Sequence, residues 1–134
     1  MKYSYNWIQE HIQEKLPPAD ELREKIIFHA FEVESLDNLN AGDVEDIIFD
    51  IDVLPNRAGD CLSHYGMARE VAGLYGFSLK EKKDFVLPQV SDFPVNIESD
   101  LCKKYVAVKI DDVKVGASPS WLKDKLKAIG QRSV

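Results

Sequence analysis

Acidic, thiol and imidazole groups crowd into one stretch of this chain: Asp50, Asp52, Asp60, Cys61 and His64 fall within fifteen residues. Three carboxylates beside a histidine have the composition of a metal or acid–base cluster. No second histidine lies nearby, and Mg²⁺-type sites usually recruit substrate phosphates as well. Alternating acids in a strand more often mark its wet face, which is the reading favoured for Asp50 and Asp52. Cys61 and His64 have ligand-like spacing but supply two donors, short of the four that a structural zinc wants. As a nucleophile pair they would sit three residues apart on one helix, with no third group evident to orient the imidazole. His11 and His29 lie on or beside apolar stripes and are expected to be hydrogen-bonded and partly buried. Trp7 and Trp121 fall at core positions of helices, and the lysines around Trp121 at 123, 125 and 127 read as a solvated face. Gly59, Gly66, Gly73 and Gly76 form no phosphate-cradling motif. Asn56-Arg57 is hardest to dismiss. Pro55 fixes the backbone, Asn56 tolerates turn geometry and Arg57 offers a five-donor fork. A structural role, bonding carbonyls or carboxylates across a hairpin, ranks ahead of a phosphate or partner contact.

The elements that must position these groups are legible from periodicity. Ser4 or Asn6 should open a helix running to about Lys15, with Trp7, Ile8, His11 and Ile12 as its apolar stripe. Leu16-Pro17-Pro18 stops it. Ala19–Ala30 reads as a second helix, with Asp20 and Glu21 in its first turn and Leu22, Ile26, Ile27 and Ala30 inward. Phe31–Leu36 and Ile48–Val53 switch to period two, and polar Asp37–Asp43 between them predicts the turn of a hairpin. Asp60 or Ser63 should cap a third helix that ends at Tyr75, with Gly76 as a left-handed C-terminal cap. Phe85–Pro88 reads as an extended arm and Gln89–Phe93 as linker. Tyr105–Ile110 and Val113–Val115 look strand-like, and Ser118-Pro119 should open a fourth helix carrying Trp121, Leu122, Lys125, Leu126 and Ile129.

At 134 residues the chain fits one domain, or one small domain and part of another. No apolar run approaches the 18 or so residues of a membrane span, so no membrane partner is expected. The N-terminus has no signal core, which argues against export. Cys61 and Cys102, the two cysteines, are expected to be reduced thiols. The net charge of −6 opposes nonspecific nucleic-acid binding. Its distribution is uneven: residues 103–134 sum to +5 and the first 102 to −11, which suggests two units with different neighbours.

Four segments in one order carry a specific resemblance. They are Lys2-Tyr3-Ser4-Tyr5-Asn6-Trp7-Ile8, then Phe31-Glu32-Val33-Glu34-Ser35. Next comes Pro55-Asn56-Arg57-Ala58-Gly59-Asp60-Cys61-Leu62-Ser63, leading into Gly66-Met67-Ala68-Arg69-Glu70-Val71-Ala72. The last is Val113–Leu122. Together they resemble the N-terminal region of the bacterial phenylalanyl-tRNA synthetase (phenylalanine–tRNA ligase) beta-subunit family. The resemblance implies an α+β fold: a small three-helix domain with a winged-helix-like β-hairpin, followed by the beginning of an α/β editing-type domain. The corresponding division is 1–88 for the helical domain, 89–94 for the linker and 95–134 for the start of the second domain.

The resemblance also implies a cytoplasmic heterotetramer of two alpha and two beta subunits that attaches phenylalanine to tRNA(Phe). ATP, Mg²⁺ and phenylalanine would be bound by the alpha subunit, with no cofactor and no catalytic residue in this stretch. Two departures stand out. Most bacterial members insert an oligonucleotide-binding-type barrel between the Phe-Glu-Val-Glu strand and the Pro-Asn-Arg turn, whereas here Leu36–Ile47 alone bridges them. Gly59 is an extra residue in the turn. The tRNA-anchoring module therefore looks absent, as do the editing pocket proper and the magnesium-linked and anticodon-binding parts. The expected role is a noncatalytic structural and docking segment, with weak or no tRNA binding of its own. The alternative is a winged-helix-like nucleic-acid-binding module, since three helices and a hairpin build such readers. A reader needs basic residues on its recognition helix, and the third helix offers Arg69 offset by Glu70.

Overall fold

The computed structural model describes residues 1–41, 44–81 and 94–134. Two compact units emerge: Met1–Glu81 together with Ala117–Val134, and Lys82–Gly116. The first unit contains a strand β1 (Lys2–Ser4), helices α1 (Tyr5–Gln9) and α2 (Ala19–His29), and strands β2 (Glu32–Ala41) and β3 (Val44–Asp52). A 3-10 turn over Pro55–Arg57 leads to α3 (Ala58–Cys61) and α4 (His64–Tyr75), and α5 (Ser120–Ala128) completes it. This is a mixed helix-and-strand fold around a small antiparallel sheet of order β1-β3-β2.

β2 and β3 pair directly, from Glu32 against Asp52 to Ala41 against Val44, with a register shift between Val33 and Ser35. β2 therefore runs through Asp37–Ala41, which the polar composition had suggested for the turn. Every residue there finds a ladder partner on β3, and backbone pairing overrides weak side-chain preference. Residues 42–43 of the expected turn lie outside the described residues. β1 was not foreseen, because three residues are too few for a periodicity signal. It lies along β3 in register Lys2–Asp50, Tyr3–Phe49 and Ser4–Ile48.

The core is one cluster on the inner face of the sheet. Tyr3, Phe49 and Ile51 from the strands meet Ile8, Leu22 and Ile26, and Met67 and Val71 from α4, all fully buried. Each such side chain contributes roughly 1.5–3 kcal/mol by leaving water. α4 buries Met67, Ala68, Val71 and Ala72 at the spacing its stripe predicts. α2 buries Leu22 and Ile26 but leaves Ile27 exposed.

α1 ends at Gln9, well short of Lys15. Beyond it the backbone pairs with the segment after α4: Gln13 N–H donates to Ser78 O at 2.9 Å and Lys80 N–H to His11 O at 2.8 Å. The Gln9 amide closes this loop, donating to Glu14 O at 2.8 Å and accepting from Leu16 N–H at 2.7 Å. Ser4 caps α1 and Ser63 caps α4, each accepting a backbone N–H at 3.0 Å. Gly76 ends α4 at φ 70°, in the left-handed region where glycine is unstrained.

In the second unit, residues 94–116 contain no helix or strand. Tyr105–Ile110 and Val113–Val115 are thus not strands: their apolar side chains are exposed and no ladder partner occurs among the described residues. The expected arm Phe85–Pro88 and nearly all of the linker lie outside the described residues. α5 forms as foreseen but starts at Ser120, with Pro119 in the cap position and no side-chain cap from Ser118. Trp121, expected in a core, is 61% exposed, and His29, expected to be half-buried, is exposed.

Candidate functional site: the Pro55–Arg57 corner

After β3 the chain leaves the sheet at Leu54 in extended geometry, and Pro55 starts the 3-10 turn at its first position. That turn runs into α3, so Arg57 stands at the foot of a short helix whose next turn carries Asp60 and Cys61. Gly66 lets α4 approach α3 closely: a Cβ there would lie 1.8 Å from the Asp60 carbonyl oxygen. The close approach brings Glu70 of α4 to the same point as Asp60 and Cys61.

Arg57 fills that point. Its Nε donates to Asp60 Oδ2 at 3.0 Å, and its Nη2 donates to Asp60 Oδ2 at 2.8 Å and Glu70 Oε2 at 2.6 Å. Nη2 also reaches Cys61 Sγ at 3.3 Å. The guanidinium carbon stands 5.0 Å from the centre of the Phe31 ring, within cation–π range. Hydrogen bonds to Asp60 and then Glu70 raise the Arg57 pKa further, and the Arg57 bond holds Asp60 below the usual carboxylate range. Arg57 thus bonds carboxylates, but those of α3 and α4 rather than groups across the hairpin. Asn56 is exposed on the turn.

Asp60, Cys61 and Glu70 have ligand atoms within 4.8 Å of one another, the geometry of a small cation site. The cation lying among them is the guanidinium. Cys61 is 1% exposed, and burial pushes its thiol up to about 11, outweighing the opposing pull of Arg57. A thiol so protonated is a poor nucleophile and a poor metal ligand at neutral pH. Tyr3 Oη donates to the Cys61 carbonyl at 2.6 Å, and burial pushes that phenol up to about 12.

Cys61 closes α3 and His64 opens α4, with Leu62 and Ser63 between them, so they do not share a helix. His64 is buried, and its Nε2 accepts the backbone N–H of Ser4 at 3.0 Å. An accepting Nε2 places the proton on Nδ1 in the neutral ring. The imidazole stacks on Trp7 with ring centres 3.9 Å apart and packs 5.4 Å from Tyr3. Burial first, then the charges of His11 and Lys125, lower its pKa to about 4.

The acids of β3 go elsewhere. Asp50 pairs with the Met1 ammonium at 2.7 Å and Asp52 is exposed, so neither joins Asp60. Asp46 stands outside the motifs that the sequence singles out. It is buried and accepts from the Ser4 hydroxyl, from Asn6 N–H at 3.1 Å and from Ile47 N–H at 2.8 Å. The available signal was Ser4 itself: a serine that caps a helix and also lies on a strand needs an acceptor for its hydroxyl proton.

These side chains build a tied corner between sheet and helices, and among the described residues they converge on one another. The chain is similar in sequence to subunits of phenylalanine–tRNA ligases. A beta subunit of phenylalanine–tRNA ligase from Syntrophus aciditrophicus is 42% identical over 97 residues, covering 69% of this chain and 12% of that protein. One from Bdellovibrio bacteriovorus is 41% identical over 98 residues, again 69% of this chain and 12% of the relative. One from Rhodopirellula baltica is 32% identical over an alignment of 140 residues, which takes in 97% of this chain and 19% of the relative. The chain is homologous to the phenylalanine–tRNA ligase beta-subunit family, as its motifs suggested. It spans roughly an eighth to a fifth of the length of these curated relatives. No family model and no solved structure matches it.

Proposed function

We propose that this chain is a noncatalytic structural and docking segment of a phenylalanine–tRNA ligase beta subunit. The whole enzyme would be a cytoplasmic heterotetramer of two alpha and two beta subunits that charges tRNA(Phe). ATP and Mg²⁺ would be used there by the alpha subunit. The observation that supports the reading best is the pairing of Arg57 with Asp60 and Glu70 beside a protonated Cys61, an arrangement that leaves the corner no free base or nucleophile. Asn56, exposed on that same corner, is the residue proposed to touch a partner.

The direct link between β2 and β3 supports a beta subunit without the inserted tRNA-anchoring barrel, because Ala41 and Val44 are already paired. tRNA would then be engaged through other parts of the enzyme. The division at 1–88, 89–94 and 95–134 is retained as a reading of ancestry, while by contact Ala117–Val134 groups with Met1–Glu81. Among the described residues no helix is long and apolar enough to cross a membrane.

Co-expression with the alpha subunit of the same organism tests the proposal. The beta chain carrying this segment should co-purify with alpha, and phenylalanine-dependent aminoacylation of tRNA(Phe) should need both. Turnover by the beta chain alone would overturn it.

A further inference from the structure

The sheet has a second face, and its cover is of a different kind from the core. Lys2, Ser4, Asp46, Ile48 and Asp50 alternate with the core residues Tyr3, Phe49 and Ile51 and so point away from them. Ile48 is nonetheless only 4% exposed, and it stands outside the central cluster. α5 packs against β1 and β3, and a Cβ on Gly130 just beyond it would come within 3.9 Å of the Lys2 side chain. α5 therefore lies over this outer face, where its Ala128 is also buried outside the central cluster.

Its apolar cover is partial: Leu122, Leu126 and Ile129 are half-buried and Ala128 is buried. Its largest apolar side chain, Trp121, is 61% exposed. A polar contact adds to it: the Lys125 ammonium pairs with the Glu10 carboxylate and stands 4.8 Å from the centre of the Trp7 ring. Trp7 in turn stacks on His64.

We propose that α5 is an ionic latch: Lys125, held by Glu10 and Trp7, pins the helix over the outer face of β1 and β3, and breaking that pin bares Ile48 and Trp7 together. The device goes beyond the ligase reading, since it concerns how this unit closes on itself. An ion pair of which Glu10 is half exposed is sensitive to screening, whereas the core cluster is not. Salt and substitution should thus open α5 without opening α4.

Hydrogen exchange and fluorescence on the full chain test this. In a Trp121→Phe background, Trp7 is the sole tryptophan. Adding Lys125→Met, which keeps an unbranched stem and removes the charge, should speed exchange across α5 by roughly tenfold while α4 exchange stays within about twofold. Trp7 emission should shift to the red. Raising salt to about 1 M, where the screening length falls to about 3 Å, should do the same to the parent and little to Lys125→Met. Exchanging the two charges, Glu10→Lys with Lys125→Glu, should restore slow exchange in α5. Unchanged α5 exchange in Lys125→Met at both salt concentrations would overturn the latch. So would loss of protection in α4 together with α5, or failure of the exchanged pair to recover any of it.

Discussion

His64 shows how far one buried side chain can set the response of the unit to acid. Its neutral ring accepts the Ser4 N–H and stacks on Trp7, and protonation of Nε2 inside the fold costs the Ser4 contact. Its pKa falls from the ordinary 6.5 to about 4, chiefly through burial. Between those values the unfolded chain holds the proton and the folded one does not, so stability rises with pH across that window. Acidifying from above 6.5 to about 4 should remove roughly 3 kcal/mol of stability, at 1.36 kcal/mol per pKa unit. Urea melts at stepped pH measure this, and His64→Gln should flatten the dependence over that range. A wild-type curve as flat as that of the variant would contradict the assignment.

Arg57 is the other residue with a large stake. Removing it leaves Asp60 and Glu70 facing each other beside a buried thiol, so Arg57→Met should lower the melting temperature more than Asp60→Asn does. Arg57→Lys should recover only part, because a single ammonium does not reproduce the fork. Equal melting temperatures for all three would show that the corner is not tied by this residue. Much of this was legible beforehand, since Pro55-Asn56-Arg57 stood out from turn chemistry alone. The partners of Arg57 were not. They lie three and thirteen residues further on, and only the packing of α4 on α3 brings Glu70 in. The same packing separates Cys61 from His64, which sequence spacing alone had put on one helix.

At the scale of elements, Gly66 controls the distance between α3 and α4. Gly66→Ala would drive a methyl group into the Asp60 carbonyl at 1.8 Å, so backbone must move. The expected loss is about 3 kcal/mol, at the upper end for overpacked interiors. Calorimetry of the variant checks it, and a loss below about 1 kcal/mol would mean that the helices slide apart freely. Long elements with strong stripes, α2 and α4, were readable in advance, as were the Gly76 cap and the paired strands. Errors fell where tertiary contacts decide. α1 stops at Gln9 because the next residues bond to Ser78 and Lys80. β1 exists because β3 offers it an edge. Asp37–Ala41 is strand because β3 is long enough to pair it.

For the whole molecule, the division of charge found in the sequence has a structural counterpart only in part. Basic residues of 103–116 belong to a unit without helix or strand among its described residues, while those of α5 sit in the first unit. Composition could not show this, because β-branched runs such as Tyr105–Ile110 carry strand propensity whether or not a partner strand exists. What the first unit supplies is a closed core and a corner whose charges satisfy one another. That is what the proposed scaffold role requires. The most direct test is to assemble the full beta subunit with its alpha subunit and compare aminoacylation of tRNA(Phe) by the parent and by Cys61→Ser. A noncatalytic segment should give assembled enzymes with the same kcat and KM. An assembled, equally stable Cys61→Ser enzyme with a collapsed kcat would place a reaction centre in this chain and contradict it.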